Sequence, residues 1–217
     1  YVITEGGGAV ELLFNPNFTF VNGPLAAHYG IEGIAGSEFV KVNDESGQRG
    51  GLLHQGITQI INSDYATTSL VKRGLLIRQH LLCRNIGVPS GVDPDEIELP
   101  NQPITTRHRW DIVSGETAST GQCWHCHQYM NDTGASLENY DAAGQWRLYE
   151  QAYNDPSTTL PIDASGQLVD NTGMGSWLYF NDARDVSAHL PSNLTALRCL
   201  ADSYFRYATG YEAQSDS

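Results

Sequence analysis

Apolar and polar positions along this chain change their period several times, and the changes mark its elements. Asn22 stands before Gly23-Pro24-Leu25-Ala26-Ala27-His28-Tyr29, and Gly30 follows. A capping asparagine, an early proline and a closing glycine predict a short helix there. Residues 10–21 begin apolar and turn at Asn15-Pro16-Asn17. Residues 31–50 have little period and predict loop, with one short strand at Phe39-Val40-Lys41-Val42. Leu52, Leu53, Ile57, Ile60 and Ile61 recur at helical intervals and predict a helix with a buried stripe, His54 beside it. A second helix is predicted from Ser69 to Arg84, with Leu75, Leu76, Leu82 and Cys83 inward and Lys72, Arg73 and Arg78 towards water.

The segment 92–104 is acidic, contains Pro94, Pro100 and Pro103, and predicts an extended linker. It divides the chain into a helical N-terminal region, 1–91, expected to be the end of a larger domain, and a second region, 105–217. Thr105 or Thr106 caps a predicted helix through Trp110 and Ile112. Residues 145–154 predict another helical stretch. The segment 160–182 is turn-rich, with hairpin chemistry at Ala164-Ser165-Gly166. Residues 183–190 predict a short helix. Asn193 caps a last one, whose Leu197, Leu200, Tyr204 and Tyr207 form an apolar stripe before Gly210.

Charge narrows the partners. The 217 residues carry 12 Lys and Arg against 25 Asp and Glu, a formal net charge of −13. Nucleic acid and anionic membrane surfaces are therefore poor partners, whereas a basic protein suits this surface. No apolar run reaches the length of a transmembrane helix. Tyr1 begins inside what reads as folded protein, with no basic n-region or cleavage site of a signal peptide, so the sequence is expected to be a mature product, a fragment or the ordered part of something longer.

The chemistry concentrates at Cys123-Trp124-His125-Cys126-His127. Two thiols three positions apart lie on one side of a helical turn, where both sulfurs can meet the vinyl groups of one porphyrin edge. The imidazole of His127, directly after the second thiol, can then serve as the proximal iron ligand. This spacing predicts a covalently held haem c on Cys123, Cys126 and His127. Other readings stay open. A zinc site needs a fourth ligand, which Cys83, Cys199 or His125 could supply, although no second Cys-x-x-Cys is present. A redox dithiol wants a βαβ setting, which the pattern lacks. A disulfide between Cys123 and Cys126 is strained at this spacing.

Haem attachment leaves Cys83 and Cys199, both in amphipathic helical stretches. They are expected to form one disulfide, consistent with an oxidising compartment; two buried free thiols are the alternative. Met174, between two glycines, is the first candidate for the distal iron ligand. Met130 is too close to His127 in sequence to reach the opposite face easily. His28, His54, His80, His108 and His189 are unranked alternatives. Glu138 and Asp141 lie near the motif, and bracing of the local backbone is their expected role.

Several stretches together carry a resemblance. They are Phe20-Val21-Asn22-Gly23-Pro24-Leu25-Ala26-Ala27-His28-Tyr29-Gly30-Ile31, Arg49-Gly50-Gly51-Leu52-Leu53 and Ser69-Leu70-Val71-Lys72-Arg73-Gly74. To these add Cys126-His127, Gly134, Leu137-Glu138-Asn139-Tyr140-Asp141-Ala142-Ala143-Gly144-Gln145-Trp146-Arg147, and Pro161-Ile162-Asp163-Ala164-Ser165-Gly166. Over nearly its whole length the chain resembles the C-terminal half of the planctomycete-type cytochrome c family, whose domains have no assigned function. The resemblance implies a secreted or periplasmic bacterial protein, further domains before residue 1, and a Cys-x-x-Cys-His site at Cys123, Cys126 and His127. Three positions depart from the pattern: Leu70 and Asp132 replace prolines, and Val113 stands near the place of a histidine.

The resulting expectation is a mainly α fold, an irregular helical cytochrome c-like domain with small β hairpins and long loops. Residues 105–217 would form the haem c domain with a closing C-terminal helical segment. The expected function is single-electron transfer outside the cytoplasm by a c-type cytochrome with one haem, working with a redox partner or within a larger assembly. Two alternatives are a peroxidase- or oxidase-like haem enzyme with an open iron position and a zinc- or disulfide-stabilised cell-surface binding module.

Overall fold

The computed structural model describes residues 1–2, 4–87, 98–115, 123–168 and 178–211. A helical turn, α1 (Glu11–Phe14), leads into strand β1 (Phe18–Val21), which pairs antiparallel with β2 (Val40–Asn43). Between them lies α2 (Gly23–Tyr29). Asn22 opens it by accepting from the Leu25 N–H at 3.1 Å, and Gly30 closes it in the left-handed conformation. Here the local signals and the structure agree.

A 3-10 turn at Leu52–His54 precedes α3 (Gly56–Ile61). Leu53 is buried, but Ile57, Ile60 and Ile61 are exposed, so the expected buried stripe is not formed. Gly56 and Gln59 face inward instead. The Gly56 N–H donates to the Tyr29 hydroxyl at 2.7 Å, and Gln59 Nε2 donates to Leu53 O. Close approach to a tyrosine ring, rather than apolar area, orients this helix.

Next come α4 (Leu70–Leu75), continuing into a π-helical turn at Leu76–Leu81, and then α5 (Thr106–Ser114), α6 (Trp124–His127) and α7 (Asn131–Ala135). Arg73 and Arg78 are buried, not water-facing as expected. Arg73 reaches the carbonyls of Leu137, Tyr140 and Asp141, and the Arg78 guanidinium lies 5.3 Å from the Tyr129 ring centre. Helices α4 and α7 cross in backbone contact. A Cβ on Gly134 would stand 1.9 Å from Leu70 O, and one on Gly74 would stand 2.3 Å from Met130 O.

Strands β3 (Tyr149–Ala152) and β4 (Asp155–Pro161) form a hairpin where the sequence predicts helix over 145–154. A third antiparallel pair joins β5 (Gly166–Leu168) to β6 (Leu178–Phe180). Helix α8 (Ala183–His189) and α9 (Leu194–Thr209) end the chain. Asn193 caps α9 and Gly210 stops it. Only Ala196 and Cys199 of α9 are buried, and its residues beyond Leu200 are exposed, Tyr204 and Tyr207 included.

Among the described residues 41% are helical and 16% strand, and the strands form three two-stranded antiparallel sheets, so the architecture is mixed. This corrects the expected mainly α, cytochrome c-like domain. The difference arises where strand pairing satisfies backbone groups in segments whose inward side chains are not the apolar ones.

The core draws on both sides of the 92–104 segment. Phe14, Leu53 and Ile77 pack with Leu137, Tyr140 and Val186. A disulfide joins Cys83 to Cys199, as expected from the cysteine count. No helix among the described residues is long and apolar enough to cross a membrane.

Candidate functional site

The motif folds as its spacing requires. Cys123 stands at the N-terminal boundary of α6, and its carbonyl accepts from Cys126 N at 3.2 Å and His127 N at 3.0 Å. One helical turn therefore carries both sulfurs, and both cysteines are half-buried. Neither belongs to the Cys83–Cys199 disulfide. Cys126 Sγ lies 4.0 Å from Gly87 O, four residues past Cys83. The bridge from α9 thus anchors the chain close to the motif.

The imidazole of His127 is held on two sides. Its ring stacks on Trp110 of α5, with centroids 5.5 Å apart and planes at 21°. Its Nδ1 lies 2.9 Å from Asn131 Oδ1. Asn131 is buried, and its Nδ2 donates to Ser114 Oγ at 3.1 Å. Ser114 Oγ in turn donates to Trp110 O at 2.9 Å. Among the described residues no hydrogen bond reaches His127 Nε2, so that nitrogen keeps its coordinating capacity.

These residues fit a covalently attached haem. Two sulfurs share one turn, and the adjoining imidazole has Nδ1 engaged by the protein, so that Nε2 is the nitrogen that would meet an iron. The zinc alternative lacks its ligand set among the described residues, where no group of three His, Cys, Asp or Glu side chains comes together.

The other predicted residues are placed as follows. Met174 lies outside the described residues, as do 92–97 of the expected linker. Met130 is buried. His54 is bonded to Tyr140 and Ser187. His28 Nε2 lies 2.8 Å from Ala143 O, and His189 Nε2 accepts from Asn193. His80 and His108 are exposed. Glu138 and Asp141 do brace the backbone and its neighbours. Asp141 Oδ1 accepts from Ala143 N and Gln145 N, and Glu138 is buried against Thr68, Arg73 and Arg147.

Asp132, which departs from the family-like proline, acquires a specific task. It accepts from Arg107 Nη2 at 3.1 Å and from Gln167 N at 3.2 Å, tying α5, α7 and β5 together. Burial pushes its carboxyl above the ordinary range, and Arg107 pulls it back. Sequence reasoning missed Trp110, Ser114 and Asn131 as supports of His127. The four-residue step from His127 to Asn131 is a helical contact spacing and was the available signal for one of them.

Trp110 also lines an open cleft of about 1020 Å³ with Tyr65, Thr106, Arg109, Arg147 and Tyr153. The Arg109 guanidinium lies over both Trp110 and Tyr153, 4.8 and 4.6 Å from their ring centres. Glu150 forms part of the wall, its carboxylate accepting from Thr106 N and Oγ1. Burial raises its proton affinity.

No curated protein and no solved structure matches the chain. One family model does, over a little under half the length, a stretch that includes the motif, α4 to α7 and the Arg73–Glu138 pair. Across residues 49–150 the chain is similar to PSCyt3, a planctomycete cytochrome-associated domain described as a protein of unknown function (DUF1588).

Proposed function

We propose that this protein is a c-type cytochrome that carries one haem on Cys123, Cys126 and His127 and transfers single electrons outside the cytoplasm. The observation that carries this reading is the geometry of α6. Two sulfurs share one turn, and an imidazole beside them has Nδ1 bonded by the protein and, among the described residues, no partner at Nε2. The cytochrome-associated family match over 49–150 and the disulfide typical of oxidising compartments support it. When bound, haem supplies a one-electron iron couple whose potential follows the axial ligands.

The chain's own residues supply attachment and orientation. Cys123 and Cys126 fix the porphyrin edge. His127 offers Nε2, Asn131 and Trp110 hold the ring, and Met174 is the proposed distal ligand. The acidic surface suits docking of a basic redox partner.

The test is intact mass and a haem stain on a denaturing gel after production in a host that matures c-type cytochromes. One haem per chain that survives denaturation is expected. It should be lost in a Cys123→Ala/Cys126→Ala variant. A colourless chain of bare polypeptide mass ends the proposal. A Met174→Ala variant that leaves the reduced and oxidised spectra unchanged removes Met174 as the distal ligand.

A further inference from the structure

We infer that Asn131 is a positioning residue that sets which nitrogen of His127 carries the proton. The argument is donor and acceptor arithmetic. Ser114 Oγ has one proton and donates it to Trp110 O at 2.9 Å. Towards Asn131 it can then only accept, so the amide presents Nδ2 to it, at 3.1 Å. Oδ1 is thereby turned towards His127 Nδ1, at 2.9 Å. An amide oxygen only accepts, so Nδ1 is the protonated nitrogen and Nε2 bears the lone pair. Ser114 and Asn131 are both buried, so water does not compete for these bonds. The Trp110 stack holds the ring against rotation.

The tautomer follows from the folded chain alone. Its consequence at iron rests on the haem reading above: a proximal imidazole whose outer nitrogen donates to a fixed acceptor is held in orientation and made a stronger donor.

The readout is the proton on the His127 ring nitrogens, observed by nitrogen-15 spectroscopy of the full chain at about pH 8, where an ordinary imidazole is neutral. A haem-bearing preparation is kept reduced, and a colourless one is measured as it is. Failure of the haem reading therefore shows as missing colour. Failure of this inference shows in a colourless chain as a proton on Nε2, and in a haem-bearing one, where iron would hold Nε2 and leave the proton on Nδ1 in any case, as an exchange rate that Asn131→Leu does not change.

The native chain is expected to hold the proton on Nδ1. Asn131→Asp keeps an acceptor and keeps that proton. Asn131→Leu is expected to speed its exchange with water by about tenfold, the worth of one lost hydrogen bond. Ser114→Ala frees the amide to flip and should give an intermediate rate, which keeps the test open should Asn131→Leu not fold. In the haem-loaded protein the reduction potential should be lowest in Asn131→Asp, higher in the native chain and highest in Asn131→Leu, a ranking that a purely structural role would not produce. An Nδ1 proton that exchanges equally fast in the native chain, in Asn131→Leu and in Ser114→Ala overturns the inference.

Discussion

The guanidinium of Arg73 lies 3.0 Å from Glu138 Oε1 across 65 residues of chain, with both side chains out of water. Nη1 also donates to Leu137 O and Tyr140 O, and Nη2 to Asp141 O and Ser63 Oγ. The fork thus holds the segment after α7 onto α4, and with it the base on which α6 and His127 rest. Burial weakens the hold of the guanidinium on its proton, and Glu138 counters that. A lysine has no fork to reach these carbonyls together. Lysine keeps the charge but leaves buried carbonyls without a donor, so we expect Arg73→Lys to cost about 2–3 kcal/mol. Urea unfolding at neutral pH measures it, and a loss under about 1 kcal/mol would show that the fork is dispensable.

His54 gives the protein an acid-sensitive core. Tyr140 Oη donates to Gln48 O at 2.7 Å, so it accepts from His54 Nδ1. Ser187 Oγ, 2.8 Å from Nε2, is left to donate. The ring is neutral here, and burial lowers it from 6.5 to about 4. The folded state therefore binds its proton later than the unfolded chain as pH falls. Stability should be level above about pH 6.5, decline by roughly 3 kcal/mol between there and about pH 4, and level off below. Asp111, Asp132 and Glu150, whose carboxyls burial pushes up, contribute with the opposite sign in acid. The difference between native and His54→Gln urea midpoints across pH 4–7 removes their part. A difference that does not change with pH would refute the assignment.

What the sequence disclosed and what it hid follow from the range of the forces involved. The Asn22 and Asn193 caps, the Gly30 and Gly210 stops and the Cys123–His127 turn depend on neighbours within a few residues, and all were readable. Arg73 was expected in water because its acceptors lie at 137–141, beyond any local pattern. Strand β3 escaped for another reason. Its inward residues are Glu150 and Ala152 and its outward ones Tyr149 and Gln151, so its alternation is not one of apolar against polar. Glu150 is tolerated inside because Thr106 N and Oγ1 satisfy both carboxylate oxygens. The stripe on α3 misled because Tyr29 and the bare backbone of Gly56 decide which side turns inward. The spacing singled out His127, while its supports on α5 were not legible, since Trp110 and Ser114 come near it only through the fold.

Gly134 is where α4 and α7 touch. Its backbone nitrogen donates to Met130 O at 2.7 Å, and a Cβ would collide with Leu70 O and crowd Gly74 N. The obstacle is backbone on both sides, so no side chain can move aside. Alanine should force the helices apart and cost about 2–3 kcal/mol, the scale of overpacking in a tight core. Because α7 carries Asn131, the same change should loosen the His127–Asn131 bond. Thermal unfolding together with nitrogen-15 spectra of His127 checks both effects. A Gly134→Ala variant as stable as the native chain would mean that the two helices are not in contact.

The Cys83–Cys199 bridge spans 116 residues and joins the end of the π-helical turn to α9. Closing a loop of that length removes disorder from the unfolded chain worth about 4–5 kcal/mol in the chain-entropy estimate, and native disulfides of this kind contribute about 2–5. The folded side of the balance matters too. Cys199 is one of two buried residues of α9, so the bridge supplies much of that helix's attachment. A double Cys83→Ala/Cys199→Ala variant is the clean probe, since it leaves no unpaired thiol to exchange with Cys123 or Cys126. We expect a stability loss of about 2–5 kcal/mol by urea unfolding, with the amides of α9 gaining the most hydrogen exchange. Gly87, four residues after Cys83, approaches Cys126, so the exchange gain should extend to α6 and not to the β3–β4 hairpin. Exchange that rises equally in both places would show that the bridge stabilises the fold as a whole rather than anchoring the motif.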